Sequence, residues 1–305
     1  MLHSVKAWLL TQTGVEVAPI RTLEQWLETL GFESATDTDS HGWSPLRYAV
    51  IEGRVDLAKQ LLDANADVEG ILRKEENAFI ATKGMNILHM VSHTNEDNAE
   101  MIRLLLSRGA NPLHRDAAQG TPPLMWPCMA GRMPDIEAIL EFAPHAANVG
   151  NGVGFMPFAA LALGGRSQAL KWAIDRYPEH VADSKTGFPL GMLAVVCLGF
   201  GDLDTLGTLL DYGCNLDHYE PRNVYSKAMS VLLTVGKLAM RISSRPTKLL
   251  ELHAVGYGTA LHTASYFGNI GAVEALVERK ADVTSTNHAL RMTPLHSAAV
   301  ASSRE

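Results

Sequence analysis

Histidines, cysteines and one glycine-rich stretch are the groups in this chain that could do chemistry. Among twelve histidines, His89 and His93 stand four apart in HMVSH, the spacing that would put two imidazoles on one helix face for a zinc ion. A zinc-protease helix also carries a glutamate between its histidines, and HMVSH has none. His89, His262 and His296 instead occupy one position of a recurring phrase, which points to a structural role, and no metal site is expected. The three cysteines, Cys128, Cys197 and Cys214, form no CxxC pair, so neither a disulfide framework nor a zinc knot is implied. Cys128 and Cys197 fall in apolar helical stretches, where a thiol is a packing group. No nucleophile elbow or phosphate-binding P-loop occurs. GFGDLD (Gly199 to Asp204) is glycine-rich but falls where a loop joins two helices, and Glu75 with Glu76 reads as a pair of solvated charges. No catalytic residue and no cofactor is expected.

The elements that would position such groups are written in a repeat. WSPLRYAV (Trp43 to Val50) is echoed by MNILHMVS from Met85, TPPLMWPCMAG, FMPFAALALGG, GTALHTASYFG from Gly258 and MTPLHSAA from Met292. A second phrase alternates with it: LLDANADV at Leu61, LLSRGANP at Leu105, LLDYGCNL at Leu209 and LVERKADV at Leu276. Aligned on Leu46, Leu88, Leu124, Phe158, Leu190, Leu261 and Leu295, the steps are 42, 36, 34, 32, 71 and 34 residues. The step of 71 is about twice the others, so a degenerate repeat is expected over 221–255, with helices in Ser226 to Met240 and Pro246 to Val255.

Each phrase has a physical reading. Ser44, Thr259 and Thr293 can cap a first helix. Pro45, Pro123, Pro157, Pro189 and Pro294 suit its first turn, where a missing N–H costs nothing. Gly53, Gly131, Gly165 and Gly268 suit its left-handed end, and Gly109 and Gly213 that of the second helix. Ahead of the repeats, Leu23, Trp26, Leu27 and Leu30 form an amphipathic helix stripe. Residues 1–36 are read as a helical cap, since an open stack exposes apolar surface at its ends. The sequence runs about one helix into the last repeat, and this half-repeat either caps the stack or continues into a longer chain.

The two phrases in this order resemble the ankyrin repeat family, whose unit of about 33 residues opens with T-P-L-H-x-A. The resemblance runs from about Asp37 to the carboxyl end. It implies an all-α solenoid of stacked helix–loop–helix units with β-hairpin-like fingers, about seven repeats plus a partial last one over 37–305. It also implies that the histidines of the TPLH position bond between neighbouring fingers. One finger, with an insertion at residues 69–83, is longer than the family's pattern.

Net charge is −7 and the isoelectric point about 5.9. That balance argues against nucleic acid, which calls for a basic face. The amino terminus lacks the apolar core of a secretory signal. The longest apolar run, Leu190 to Gly201, falls short of the roughly 18 residues that cross a bilayer. An intracellular, cytoplasmic protein without membrane insertion is expected.

A protein-binding scaffold follows from this architecture. Two registers would face the partner in the resembled family's concave groove. One lies three residues before the aligned apolar position: Trp43, Met85, Thr121 and Phe155. The other precedes the loop between helices: Ile51 with Glu52, His93 with Thr94, Met129 with Ala130, and Tyr266 with Phe267. Trp43, Ile51, Met85 and the insertion around Phe79 are the expected focus of binding. The competing reading is an enzyme or small-ligand protein with a pocket in residues 183–256.

Overall fold

The short helices of the repeat are dictated by side-chain pattern and caps. In a computed structural model, the described residues are 22–74, 83–93, 98–152, 155–178, 202–214, 216–217, 258–287 and 291–302. Phe79, Thr94, Pro189, Leu190, Cys197, the segment 1–21 and the expected repeat at 221–255 lie outside them, as does most of the 183–256 region.

Thirteen α-helices and no strand occur among the described residues. They are α1 (Leu23–Leu30), α2 (Pro45–Ile51), α3 (Val55–Asp63), α4 (Ile87–His93), α5 (Ala99–Ser107), α6 (Met125–Ala130), α7 (Met133–Phe142), α8 (Pro157–Leu163), α9 (Ser167–Arg176), α10 (Leu203–Asp211), α11 (Ala260–Tyr266), α12 (Ile270–Glu278) and α13 (Pro294–Ser302). Two compact units divide the chain. One comprises Met1–Pro127 with Pro134–Ala146, the other Cys128–Met133 with Ala147–Glu305.

First and second helices of a repeat differ in their burial. In α2, every residue from Pro45 to Val50 is buried, so the helix is covered all round. Small residues such as Ala49 in α2 and Ala160 in α8 let neighbouring helices approach closely. The second helices are amphipathic: α3 buries Leu57, Ala58, Leu61 and Leu62, and α10 buries Thr205, Leu206, Leu209 and Leu210. That spacing makes one apolar stripe at the helical period. In the first unit, α2 packs on α3 and α4, α4 on α5, and α3 on α5 and α1. In the second, α8 packs on α9, α9 on α10, α10 on α12, and α11 on both α12 and α13.

Of the expected caps, Ser44 Oγ accepts from Arg47 N and Thr293 Oγ1 from His296 N over 3.4 Å, and Asp202 Oδ1 adds a further cap on α10 at Thr205 N over 2.7 Å. Pro45 and Pro157 open their helices. Gly53, Gly131, Gly165 and Gly268 all take positive φ. At the end of the second helix the glycine register is held by Gly109 and Gly213, but by Asn65 and Lys280 in two other repeats, also at positive φ. The fingers pair without forming regular strands: Leu72 N donates to Met85 O over 3.0 Å and Gly84 N to Leu72 O over 2.9 Å.

The exposed tryptophan expected at the fingertip is not exposed. Trp43 keeps 4% of its surface in water and Met85 1%. The cause is local. Trp43 immediately precedes the capping Ser44, and Tyr48 is the fourth residue of the helix. These are the two positions of a hydrophobic staple. The Trp43 and Tyr48 rings lie 5.2 Å apart, with Phe32 a further 6.1 Å from Tyr48. Met85 stands in the same relation to Met90, which is also buried.

Candidate interaction surface

The groups that could do chemistry are withdrawn from it. Cys128 is fully buried and Cys214 buried. Burial raises both thiols, Cys214 to about 11 and Cys128 further. Neither is a thiolate at neutral pH, which a nucleophile would need. Among the described residues no cluster of histidine, cysteine or carboxylate side chains could hold a metal ion.

Two of the three TPLH histidines, His89 and His262, instead join neighbouring fingers. His89 Nε2 lies 2.8 Å from Thr121 O, and burial pushes its pKa down to about 4. His262 Nε2 lies 2.8 Å from Met292 O, a carbonyl that can only accept. Its Nδ1 then accepts from Thr259 N over 3.1 Å. This neutral ring fits the lowered pKa of His262, for which burial is again the first cause. His296 Nδ1 bonds the Thr293 hydroxyl over 2.7 Å, but the residue is exposed. Arg47 takes the same register in the first repeat. It is buried, donates to Gly70 O and to the Met90 sulfur, and desolvation lowers it to about 10.

The sequence-derived surface residues separate into three groups. Trp43, Met85 and Tyr266 are buried, and Thr121 with them. Ile51 and Phe155 are half-buried. Glu52, Met129, Ala130 and Phe267 are exposed. The Glu52 carboxyl accepts from the Trp26 side chain, and desolvation outweighs that bond in raising its pKa. The side chain of His93 lies outside the described set.

Within the second unit, the loops between first and second helices make a continuous edge. Arg166 Nε donates to Met129 O over 3.3 Å. A Cβ built on Gly164 would collide with that same carbonyl, and one on Gly165 would come 3.6 Å from Asp202 Oδ2. One on Gly271 would come 2.9 Å from Leu203 Cδ1. Along this edge Leu203 is 54% exposed, Phe267 47% and Ile270 70%. Leu203 and Ile270 are the first residues of α10 and α12. Sequence reasoning missed both, because it weighed the end of the first helix and not the start of the second. Asp202, Asp204 and Glu274 are exposed beside them.

A depression beside α9 is lined by Gln168, Lys171, Trp172, Asp175 and Arg176. All five lie on one helix, so nothing converges on it from an opposite wall. No described helix is long and apolar enough to cross a membrane.

Three segments, 41–71, 83–117 and 258–288, match the family model for the ankyrin repeat. The structure is similar to that of the human ASB11 ankyrin repeat domain, with a TM-score of 0.57 at 18% identity, covering 84% of this chain and 92% of that one. It is also similar to the ankyrin repeat domain of Bcl-3, a member of the IkappaB protein family, with a TM-score of 0.55 at 20% identity, covering 85% and 95%. No curated protein matches the sequence.

Proposed function

From a chain that carries ankyrin repeats and folds as their helix–loop–helix solenoid, we propose a non-catalytic scaffold that binds another protein through the loop edge of its second unit. The fold is one used generally for protein–protein interaction and typically non-catalytic, but fold alone does not assign function. The observation that carries the proposal is the exposed trio Leu203, Phe267 and Ile270. Clustered large apolar side chains on a rigid frame mark interaction sites, and aromatic ones supply binding hot spots. The acidic rim of Asp202, Asp204 and Glu274 suits a partner segment that flanks apolar anchors with lysine or arginine. Phe267 remains from the sequence-derived surface. Trp43, Met85 and Tyr266 are buried and act in packing, Ile51 and Phe155 are half-buried, and Glu52, though exposed, belongs to the first unit. Cytoplasmic residence accords with the thiols and the charge.

The test compares what the intact protein and a Phe267→Ala/Ile270→Ser variant retain from a lysate, with thermal unfolding measured on both. Selective loss of one stoichiometric protein at unchanged melting temperature supports the loop edge. Equal retention moves the binding surface elsewhere. A co-purifying metabolite in place of a protein would favour the ligand-pocket reading of residues 183–256.

A further inference from the structure

In the first unit, two ties join successive repeats. Asp63 follows the Leu61–Leu62 pair and takes an ion pair of 2.6 Å from Arg108, which lies two residues after the Leu105–Leu106 pair of the next repeat. Glu69, six residues beyond Asp63, accepts from Asn111 N over 2.6 Å. The second unit contains the same two ties in the same registers. Asp211 follows Leu209–Leu210 and pairs with Arg279 at 2.5 Å, two residues after Leu276–Val277. Asp217, six beyond Asp211, accepts from Asp282 N over 2.7 Å. Asn111 and Asp282 each lie three residues past their arginine. The helices agree, since α10 packs on α12 as α3 packs on α5.

We infer that the repeat containing α10 and the repeat containing α11 and α12 are consecutive in the stack, with no further repeat seated between α10 and α12. Packed helices sit about 8–10 Å apart. An interposed repeat would separate α10 from α12 by twice that, beyond the reach of one aspartate–arginine pair. Chain length permits this adjacency, because the entropic cost of closing a loop rises only slowly with its length. In the sequence, the long insertion of the first unit likewise follows Glu69 and its tie to Asn111. Each of these two fingers is therefore tied to the next repeat at its base. The inference is independent of which surface binds a partner.

Two measurements test it. In a background with Cys128, Cys197 and Cys214 replaced by alanine, Tyr212→Cys and Glu278→Cys place thiols on neighbouring helix ends. A bis-maleimide spanning roughly one interhelix spacing, about 10 Å, should bridge them within one molecule, detected as a single linked peptide after proteolysis. Absence of the linked peptide overturns the inference. In the second experiment residues 218–257 are replaced by a short glycine–serine linker in the full chain. A cooperative thermal transition at the wild-type temperature is expected. Loss of cooperative unfolding in this variant also overturns the inference, because removing a stacked repeat would strip the apolar cover from both neighbours.

Discussion

The fingertip of the first repeat and the loop edge of the second unit each present a large apolar residue beside a helix cap, and they use it in opposite ways. Trp43 lies just before the cap of α2 and is stapled under Tyr48. Ile270 lies just after the Asn269 cap of α12 and points away from the core. A residue outside the helix start has a partner on the helix's fourth position. The first helical residue has no such partner, and its direction is set by the stripe of the second helix. The difference teaches that proximity to a loop does not make a side chain available to a partner.

The strongest way to break this comparison is Trp43→Ala. Truncating a buried tryptophan should cost about 3–5 kcal/mol, read as a large fall in melting temperature. A variant that unfolds like the wild type would return Trp43 to the surface.

Acidification probes the histidine links that hold the fingers in both regions. The folded-state pKa values of His89 and His262 lie below the ordinary imidazole value. Their contribution is therefore complete above about pH 6.5 and is lost as pH falls toward the folded values. For His89 the loss should approach about 1.4 kcal/mol per pH unit between 6.5 and its lowered pKa. Denaturant unfolding from pH 7 to pH 5 should show stability falling, with a shallower fall in His262→Gln. A flat profile would mean that these rings are not held neutral.

A smaller effect is expected at Lys280, which holds positive φ where Gly109 and Gly213 stand in other repeats. Lys280→Gly should raise stability by about 1 kcal/mol, since a left-handed conformation costs a side-chain-bearing residue and not glycine. Asn65→Gly should give less, because asparagine tolerates that region.

The smallest change in stability is expected at the other end of the comparison. Ile270→Ser should shift stability by no more than about 0.5 kcal/mol, while partner retention falls. A marked loss of stability would show that the loop edge is a packing surface after all.

Much of the fold was legible because its signals are local. Ser44 before Pro45, the paired leucines of α3 and α10, and the glycines at positive φ each act through their own few residues. Trp43 was misread for an equally local reason, since the staple partner Tyr48 was present in the sequence but was not paired with it. Leu203 and Ile270 were harder to see. Their exposure depends on helices far away in the chain, and an apolar residue beginning a second helix has the same pattern whether it is covered or not.

By itself, the sequence determined the all-helical class, the register of the described helix pairs and the fate of the buried histidines, because periodicity and capping are properties of a single repeat. Only the tertiary structure decided which apolar residues face water and which second helices touch. The step of 71 residues from Leu190 to Leu261 is compatible with either a stacked unit or an excursion, since chain length counts residues and not neighbours. The pairing of Asp211 with Arg279 is a fact of another kind, because an ion pair requires its groups to meet in space.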